Sequence, residues 1–357
     1  MKSWSTVTLF CVCWALRSAL VCFGDFSATA DRHLSQLAEA DKFSGTVLVA
    51  KGGRVVFAKG YGWANREHDI PNIAETKFRL GSITKPFTAM CILLLESDGK
   101  LAVTDPVNKF VEDSPDAWKG ITLHHLLTHT SGIPGFTEFP DNLQHERLPA
   151  TAEKTVNRFR DKPLKFPPGE RFNYSNSGYV LLGYIIEKVT GQKYEEVLQE
   201  KVFEPLGMKN SGYDHPAKVL PRRAAGYALN NGAIVNCVHF EMDTPHAAGG
   251  LYSTVGDLLL WDQALYTEKL LPRETLVRMF TAVKGGYAYG WNTGESSNRR
   301  FTGHGGGIAG FRTMLLRYPD DKVTVIVLSN FEMANPEEIA HKLAESFFGA
   351  ANSPKFK

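Results

Sequence analysis

The sequence predicts an α+β fold, in which an antiparallel sheet flanked by helices is formed by the N- and C-terminal parts of the chain and a mostly helical subdomain is inserted between them. Two observations lead to this prediction. β-Prone hairpins lie near both ends of the chain, and helices and long loops fill the stretch between them. We place the sheet part at about residues 31–80 and 240–357, and the helical part at about residues 81–239.

The first hairpin is marked by a polar turn between two β-prone runs. Thr46–Ala50 and Val55–Ala58 flank the segment Lys51-Gly52-Gly53-Arg54. Glycine supplies the backbone freedom that a tight turn needs, and β-branched residues favour the strands on either side. The sheet therefore begins shortly after the mature N-terminus.

The second hairpin lies near the C-terminus. Phe311–Tyr318 and Val323–Leu328 flank the segment Pro319-Asp320-Asp321-Lys322, whose proline and aspartates are typical turn residues. A closing helix is expected after Pro336, because apolar residues recur there every four positions, as a core-facing stripe requires. The residues of this stripe are Ile339, Leu343 and Phe347.

The middle of the chain is predicted to consist of helices and long loops. The expected helices are Lys85–Glu96, Leu123–Thr128, Ala152–Phe159, Ser177–Val189 and Tyr194–Val202.

Composition limits the function classes. The chain has 357 residues, 43% of them hydrophobic and 22% charged, which suits a globular protein with ample core. Its formal net charge is +2, and no basic run alternates with aromatic residues. A nucleic-acid partner is therefore not expected.

Residues 1–30 are predicted to be a signal peptide, so the protein is expected to be secreted or periplasmic. Lys2 supplies the positive end, Val7–Leu16 the apolar stretch, and Ala28-Thr29-Ala30 the small residues of a cleavage point before Asp31. An uncleaved membrane anchor is the alternative, although Arg17 interrupts the apolar run. Residues 31–357 would form the mature domain, with an oligomeric state that the sequence leaves open.

Two cysteines, Cys91 and Cys237, remain after such cleavage. An oxidising compartment would allow a disulfide between them, but two cysteines do not make a disulfide framework. Cys91 lies in an apolar run and is most simply a small buried residue. No cysteine spacing typical of a metal site occurs.

Ser82 and Lys85 stand three residues apart at the start of a predicted helix. This spacing places hydroxyl and amine on one face. A serine hydroxyl is a poor nucleophile near neutral pH, and a lysine held partly uncharged by burial can accept its proton. The alternative is an ordinary helix start, with Ser82 as the cap and Lys85 in solvent.

A second cluster, Asn173-Tyr174-Ser175-Asn176, precedes another predicted helix. Tyr174 could act as a base beside an ammonium group, and the Asn176 amide could bind a substrate peptide group. The alternative is a turn rich in asparagine and serine that caps the next helix.

A third cluster is Thr302-Gly303-His304-Gly305-Gly306-Gly307-Ile308-Ala309-Gly310. Glycines let a substrate approach the backbone, whose N–H groups can bind an oxyanion, and His304 could donate to substrate or to Tyr174. No Gly-Lys-Ser/Thr sequence follows, so a phosphate loop is not favoured. The alternative is a flexible turn before the Phe311 strand.

Taken together, the three clusters read S-x-x-K, Y-x-N and H-x-G. In this order they resemble the penicillin-recognising serine hydrolases, which include class C β-lactamases, D-alanyl-D-alanine carboxypeptidases, D-aminopeptidases and related esterases. Three further stretches support the resemblance, which covers roughly residues 45–329. They are Leu126-Leu127-Thr128-His129-Thr130-Ser131-Gly132, Phe203-Glu204-Pro205-Leu206-Gly207-Met208 and Ala248-Gly249-Gly250-Leu251-Tyr252-Ser253-Thr254.

The resemblance implies a β-lactamase/transpeptidase-like fold and a role for each motif residue. Ser82 would be the acylated nucleophile, Lys85 would assist its deprotonation, and Tyr174 would be the base in acylation. Whether the lysine or the tyrosine takes the proton stays open, because coupled groups share their titration. The substrate-binding residues would be Asn176, His304, Gly306 and Gly307, with the backbone N–H groups of Ser82 and Gly307 forming the oxyanion hole.

The third motif departs from the class C pattern. His304 stands where lysine is usual, and Gly305 where threonine is usual. A histidine can be neutral near pH 7, so the fixed positive charge that binds a carboxylate is lost. This favours the carboxypeptidase, aminopeptidase and esterase branches over efficient β-lactam hydrolysis. Arg312 is either a replacement charge or a solvated strand residue.

Three histidines raise the question of a metal. They are His124, His125 and His129, which lack the acidic residue of an H-E-x-x-H site, so hydrogen-bonding and packing roles are favoured.

The sequence thus predicts a serine hydrolase that cleaves amide bonds through an acyl-enzyme, without metal or organic cofactor. Its substrate would be a small molecule or a peptide. A carboxylesterase of the same family is the alternative within enzymes, and a non-catalytic binding relative is the alternative from another class.

Overall fold

A computed structural model describes residues 25–352. The apolar stretch Val7–Leu16 of the predicted signal peptide lies outside the described residues. None of the helices described between residues 25 and 352 is both long and apolar enough to cross a membrane.

The fold is built on a six-stranded antiparallel sheet with the order β10-β11-β12-β13-β1-β2. Strands from the two ends of the chain meet at its centre, where Leu48 pairs with Ile326. The strands of this sheet are β1 Gly45–Lys51, β2 Arg54–Tyr61, β10 Asn292–Ser296, β11 Arg299–Ile308, β12 Phe311–Tyr318 and β13 Val323–Ser329. The α+β prediction is therefore confirmed, as are both predicted hairpins.

The rest of the described chain forms helices, most of them in the inserted part, and short strands. The helices are α1 over residues 25–39, α2 Thr84–Ser97, α3 Leu123–Leu127, α4 Asn142–His145, α5 Ala152–Phe159, α6 Asn176–Thr190, α7 Tyr194–Leu198, α8 Glu204–Leu206, α9 His246–Gly249, α10 Val255–Ala264, α11 Arg273–Phe280 and α12 Pro336–Asn352. The short strands are β3 Trp63–Asn65, β4 Ile70–Pro71, β5 Phe78–Arg79, β6 Gly212–Tyr213, β7 Tyr227–Asn230, β8 Ala233–Asn236 and β9 Leu251–Ser253.

The sheet is covered on both faces, so β13 is buried at every position and β1 at every position but its last, and both strands are mostly apolar. In β1, Val47 and Val49 join a core cluster with α1 and α12, whereas Leu48 and Ala50 join the larger cluster shared with the helical subdomain. This alternation follows from the two-residue period of a strand.

The helix α1 contains the predicted cleavage point. Phe26 and Ala30 are each 1% exposed, and the Phe26 ring packs edge-on against Phe347 at 5.3 Å between centroids. The helix therefore closes one face of the sheet together with α12.

The glycine-rich third cluster is not a loop. Residues 302–308 belong to β11, and His304 pairs with Leu315 of β12. Its glycines hide the β pattern in the sequence, because glycine disfavours strands unless another chain segment must approach closely.

The two cysteines are both free thiols, so the disulfide that the sequence allowed is not formed. Cys91 is fully buried in α2, as predicted. Burial raises the pKa of its thiol to about 12.

A buried ion pair joins α10 to the sheet. Arg317 on β12 is paired with Asp262 on α10, and both side chains are almost completely buried. The second oxygen of Asp262 accepts a hydrogen bond from Thr324 Oγ1 at 2.6 Å. A buried pair of this kind is costly to break, because the remaining charge loses its partner in a medium that solvates it poorly.

We expect Asp262→Ala to lower the free energy of unfolding by about 3–5 kcal/mol, since it leaves the Arg317 guanidinium buried and unpaired. The matched control is Asp320→Ala, which removes an exposed partner of Arg300 and should cost at most about 1 kcal/mol. Urea unfolding of both variants measures the difference, and equal losses would show that burial of the pair is unimportant.

Candidate active site

Ser82 lies in a single 3₁₀ turn, Gly81–Ile83, that leads directly into α2. Gly81 has a φ of +55°, and a Cβ atom there would lie 2.8 Å from the Gly307 nitrogen. Only glycine permits both this backbone conformation and this approach. The turn that carries Ser82 is thereby pressed against β11.

Lys85 is fully buried one helical turn after Ser82. Its Nζ atom lies 2.9 Å from Ser82 Oγ, 2.9 Å from Asn176 Oδ1 and 2.8 Å from the Ala248 carbonyl oxygen. These neighbours satisfy the amine without a carboxylate. Burial therefore lowers the pKa of Lys85 well below its usual 10.5, which favours the uncharged amine.

Tyr174 completes the group of three predicted catalytic residues. Its ring centroid lies 4.8 Å from Lys85 Nζ, and its hydroxyl is hydrogen-bonded to Ser82. Burial raises the pKa of Tyr174 above its usual 10.0, and the bond to Ser82 only partly opposes this. The structure thus brings hydroxyl, amine and phenol into one place from two distant stretches of sequence.

His129 holds the tyrosine in position. Its ring packs against the Tyr174 ring at 4.3 Å between centroids, and its Nδ1 accepts a hydrogen bond from the Ser175 N–H at 3.1 Å. Burial lowers the pKa of His129, so the ring is neutral and can accept this bond. The sequence indicated packing and hydrogen bonding for this residue, but not that its partners are Tyr174 and the neighbouring Ser175.

Asn176, the first residue of α6, links the lysine to the substrate cavity. Its Oδ1 accepts from Lys85, while its Nδ2 donates to Thr137 Oγ1 at 3.2 Å. One N–H of the amide stays available to a substrate carbonyl.

The two predicted glycines have different surroundings. Gly307 is exposed and lines the cavity beside Ser82. Gly306 instead packs against the preceding turn, since a Cβ there would lie 1.9 Å from the Leu80 carbonyl oxygen. Gly306 thus allows the close contact of turn and strand, and Gly307 presents its backbone to the cavity.

His304 lies behind the site and is only 3% exposed. Its Nε2 is 3.0 Å from the Tyr287 hydroxyl, and its Nδ1 is 2.6 Å from the Gly305 carbonyl oxygen. Burial, with Lys85 nearby, lowers the pKa of His304 to about 3, so the ring is neutral at physiological pH. The donation to Tyr174 considered from sequence is not formed, since both ring nitrogens have other partners; a role in substrate binding stays a prediction.

Arg312 is not among the described residues that line the cavity, but its guanidinium lies against Gly307, which is: a Cβ atom on Gly307 would be 3.4 Å from Arg312 Nη1. The guanidinium is also 3.4 Å from Glu332 and donates to the Phe311 carbonyl at 3.0 Å. A role as a replacement charge stays a prediction.

The remaining two histidines of the central cluster form local hydrogen bonds. His124 Nδ1 is 2.7 Å from the Tyr289 hydroxyl, and His125 Nδ1 accepts from the Thr122 N–H at 3.2 Å. Within residues 25–352, no three His, Cys, Asp or Glu side chains are grouped to hold a metal ion.

The cavity in front of Ser82 has a volume of about 300 Å³. Its walls combine polar groups, such as Ser82, Asn176 and Thr137, with apolar side chains. The apolar lining residues include Phe136, Phe240 and Ile308. This is the size and character of a site for a small molecule or the end of a peptide.

Known proteins are similar to this chain in sequence and in fold. A sequence model of the Beta-lactamase family matches residues 30–346. Penicillin-binding protein 4* of Bacillus subtilis is 33% identical over 322 residues, covering 83% of this chain and 70% of that protein. The octameric penicillin-binding protein homologue from Pyrococcus abyssi has a TM-score of 0.81 and 35% identity, covering 90% of this chain and 77% of that one.

A D-stereospecific amidohydrolase from Streptomyces is also similar, with a TM-score of 0.76 and 27% identity over 90% of this chain and 98% of that one. The chain therefore belongs to the Beta-lactamase family, and it is a serine hydrolase with the family's fold.

We expect Lys85→Ala and Tyr174→Phe each to slow hydrolysis by about 10²–10⁴-fold, as loss of proton transfer does, with the larger loss for Lys85→Ala. Because the amine must be uncharged to accept the Ser82 proton, kcat/KM of the wild type should rise with pH through a pKa below 10.5. The measurement is kcat/KM against pH for each variant.

Tyr184→Phe is a matched control, since Tyr184 lies on α6 outside the cavity. It should retain the wild-type rate. Wild-type turnover in either site variant would remove that residue from the mechanism.

Proposed function

We propose that this serine hydrolase cleaves amide bonds of amino acids or short peptides, with a preference for the D configuration, through an acyl-enzyme on Ser82. The observation that carries the mechanism is the fully buried Lys85 amine 2.9 Å from Ser82 Oγ. The similarity to the Streptomyces D-stereospecific amidohydrolase supports the substrate class.

Acylation follows from the electrostatics of the site. The uncharged Lys85 amine accepts the proton as Ser82 Oγ attacks the carbonyl carbon. The negative charge of the tetrahedral intermediate is held by the backbone N–H groups of Ser82 and Gly307. The leaving amine then takes a proton and departs, and water releases the acyl group by the reverse sequence.

The same electrostatics favour Lys85 over Tyr174 as the first proton acceptor. Burial shifts both pKa values toward the uncharged forms, which are an amine that accepts a proton and a phenol that donates one. Tyr174 therefore donates its proton to the leaving amine and takes one back from the Lys85 ammonium, rather than acting as a phenolate base.

The charge around the cavity argues against substrates that must present a carboxylate. His304 is neutral, and the Arg312 guanidinium, next to Gly307, is paired with Glu332. A carboxypeptidase substrate or a β-lactam would find no Lys or Arg side chain among the described residues that line the cavity. An amidase or aminopeptidase substrate needs none.

A four-substrate panel tests the proposal. We expect measurable hydrolysis of D-phenylalanine amide, slow turnover of a D-Ala-D-Ala peptide and of nitrocefin, both of which present a carboxylate, and loss of all rates in Ser82→Ala. A dominant rate on p-nitrophenyl butyrate would instead identify a carboxylesterase. Failure of fluorophosphonate or penicillin to label Ser82, seen by intact mass, would favour a non-catalytic binding protein.

We further propose that the chain is exported, with the signal peptide removed before Asp25 rather than after Ala30. Cleavage after Ala30 would remove Phe26 and Ala30, two side chains buried against the sheet. Cys22 and Gly24 offer small residues at the two positions that signal peptidase reads. The processing point would then precede the folded domain.

N-terminal sequencing of the protein secreted by a bacterial host tests the processing point. We expect the mature chain to begin at Asp25. Gly24→Arg should block processing, whereas Ala28→Arg, at an exposed position of α1, should not. A mature chain that begins at Asp31 would overturn this proposal.

A further inference from the structure

A single carboxylate, Glu146, lines the cavity that contains Ser82. It follows α4 directly, and its backbone carbonyl accepts a hydrogen bond from the Glu241 N–H at 2.7 Å. Its Oε2 accepts from Asn142 Nδ2 at 2.9 Å. The position of Glu146 is therefore set by two chain segments that both border the cavity.

No cation neutralises this carboxylate at close range. Among residues 25–352, no Lys, Arg or His nitrogen lies within ion-pair distance of Glu146, and Arg158 is itself paired with Asp141 at 3.0 Å. Partial burial raises the pKa of Glu146 and outweighs the opposing charges of Arg147 and Arg158 and the hydrogen bond from Asn142.

The other ionisable groups of the site do not balance the charge. Lys85 is held toward its uncharged form, and His304 is neutral and buried behind the cavity. Arg312, next to Gly307, is paired with Glu332. Among the described residues that line the cavity, Glu146 is thus the one with a charged side chain. A negative charge in a half-enclosed pocket attracts a cation and repels an anion.

The other residues of the cavity wall indicate which further groups a cationic ligand would carry. Phe136, Phe240 and Ile308 provide apolar surface beside Ser82 and Asn176. A ligand that combines an ammonium group, an apolar side chain and an amide carbonyl matches this lining in charge and in polarity.

We infer that Glu146 selects substrates with a free ammonium group near the scissile carbonyl, that is, unblocked amino-acid amides and peptides with a free N-terminus. The inference rests on the proposed amidase function and narrows its substrate class. A carboxylate and an ammonium form short charge-assisted hydrogen bonds, so blocking the amine should weaken binding. Substrates with a carboxylate at this place should be rejected.

The test compares D-phenylalanine p-nitroanilide with its N-acetyl form, using the wild type and Glu146→Gln. We expect the wild type to prefer the free amine by about 10-fold or more in kcat/KM, mainly through KM, and Glu146→Gln to lose most of this preference. Glutamine keeps the shape and can still accept from Asn142.

Glu153→Gln is the matched control, because Glu153 is exposed on α5 and does not line this cavity. It should keep the wild-type preference. Equal losses on both p-nitroanilides in Glu146→Gln, or an unchanged preference, would overturn the inference and leave Glu146 a structural residue.

A protection assay separates this inference from the proposed function. D-Phenylalanine amide should slow fluorophosphonate labelling of Ser82 in the wild type more than N-acetyl-D-phenylalanine amide does, whether or not either is cleaved. Glu146→Gln should remove the difference. Equal protection by the free and blocked amides in the wild type would overturn the role of Glu146, while absence of amide turnover alone would contradict only the proposed function.

Discussion

The buried amine of Lys85 is the constraint on which the rest of the site depends. Removing an amine from water is tolerable only if its hydrogen-bonding capacity is satisfied, and here the partners are a hydroxyl, an amide oxygen and a backbone carbonyl, with no carboxylate. These three partners satisfy the hydrogen-bonding capacity of the amine without strongly stabilising its positively charged form. The lysine is thereby prepared to accept a proton rather than to hold one.

This requirement explains how the helical subdomain is attached. Asn176 begins α6 and Ala248 lies in α9, so the three partners of Lys85 come from separate elements that must be docked together. Thr88, one turn further along α2, donates to the Ala247 carbonyl at 2.7 Å and reinforces the same junction. Packing of the helices and chemistry at the amine are therefore coupled, because a shift of either helix would leave a buried polar group without its partner.

Close approach of backbone to backbone is the second condition for function. The turn at Gly81 and the strand at Gly306 leave no room for a Cβ atom, and this brings the N–H groups proposed for the oxyanion hole to one side of Ser82. The glycines were visible in the sequence, which predicted close approach of a substrate to their backbone and left a flexible turn as the alternative. Only the pairing of β11 with β12 shows that these glycines lie in a strand. Because they lack side chains, the turn at Gly81 can approach the backbone of that strand.

The sequence by itself determined the α+β class, both hairpins and the middle helices, and it singled out Ser82, Lys85 and Tyr174 as candidates, because periodicity, turn residues and motif order are local properties. What only the tertiary structure decided was the environment of those residues. The support of Tyr174 by His129, the neutral and fully engaged state of His304, the burial of α1 around Ala30 and the unpaired carboxylate of Glu146 all arise from contacts between distant segments. Burial and charge pairing are sums over neighbours in space, and a linear sequence does not state which neighbours a residue will have.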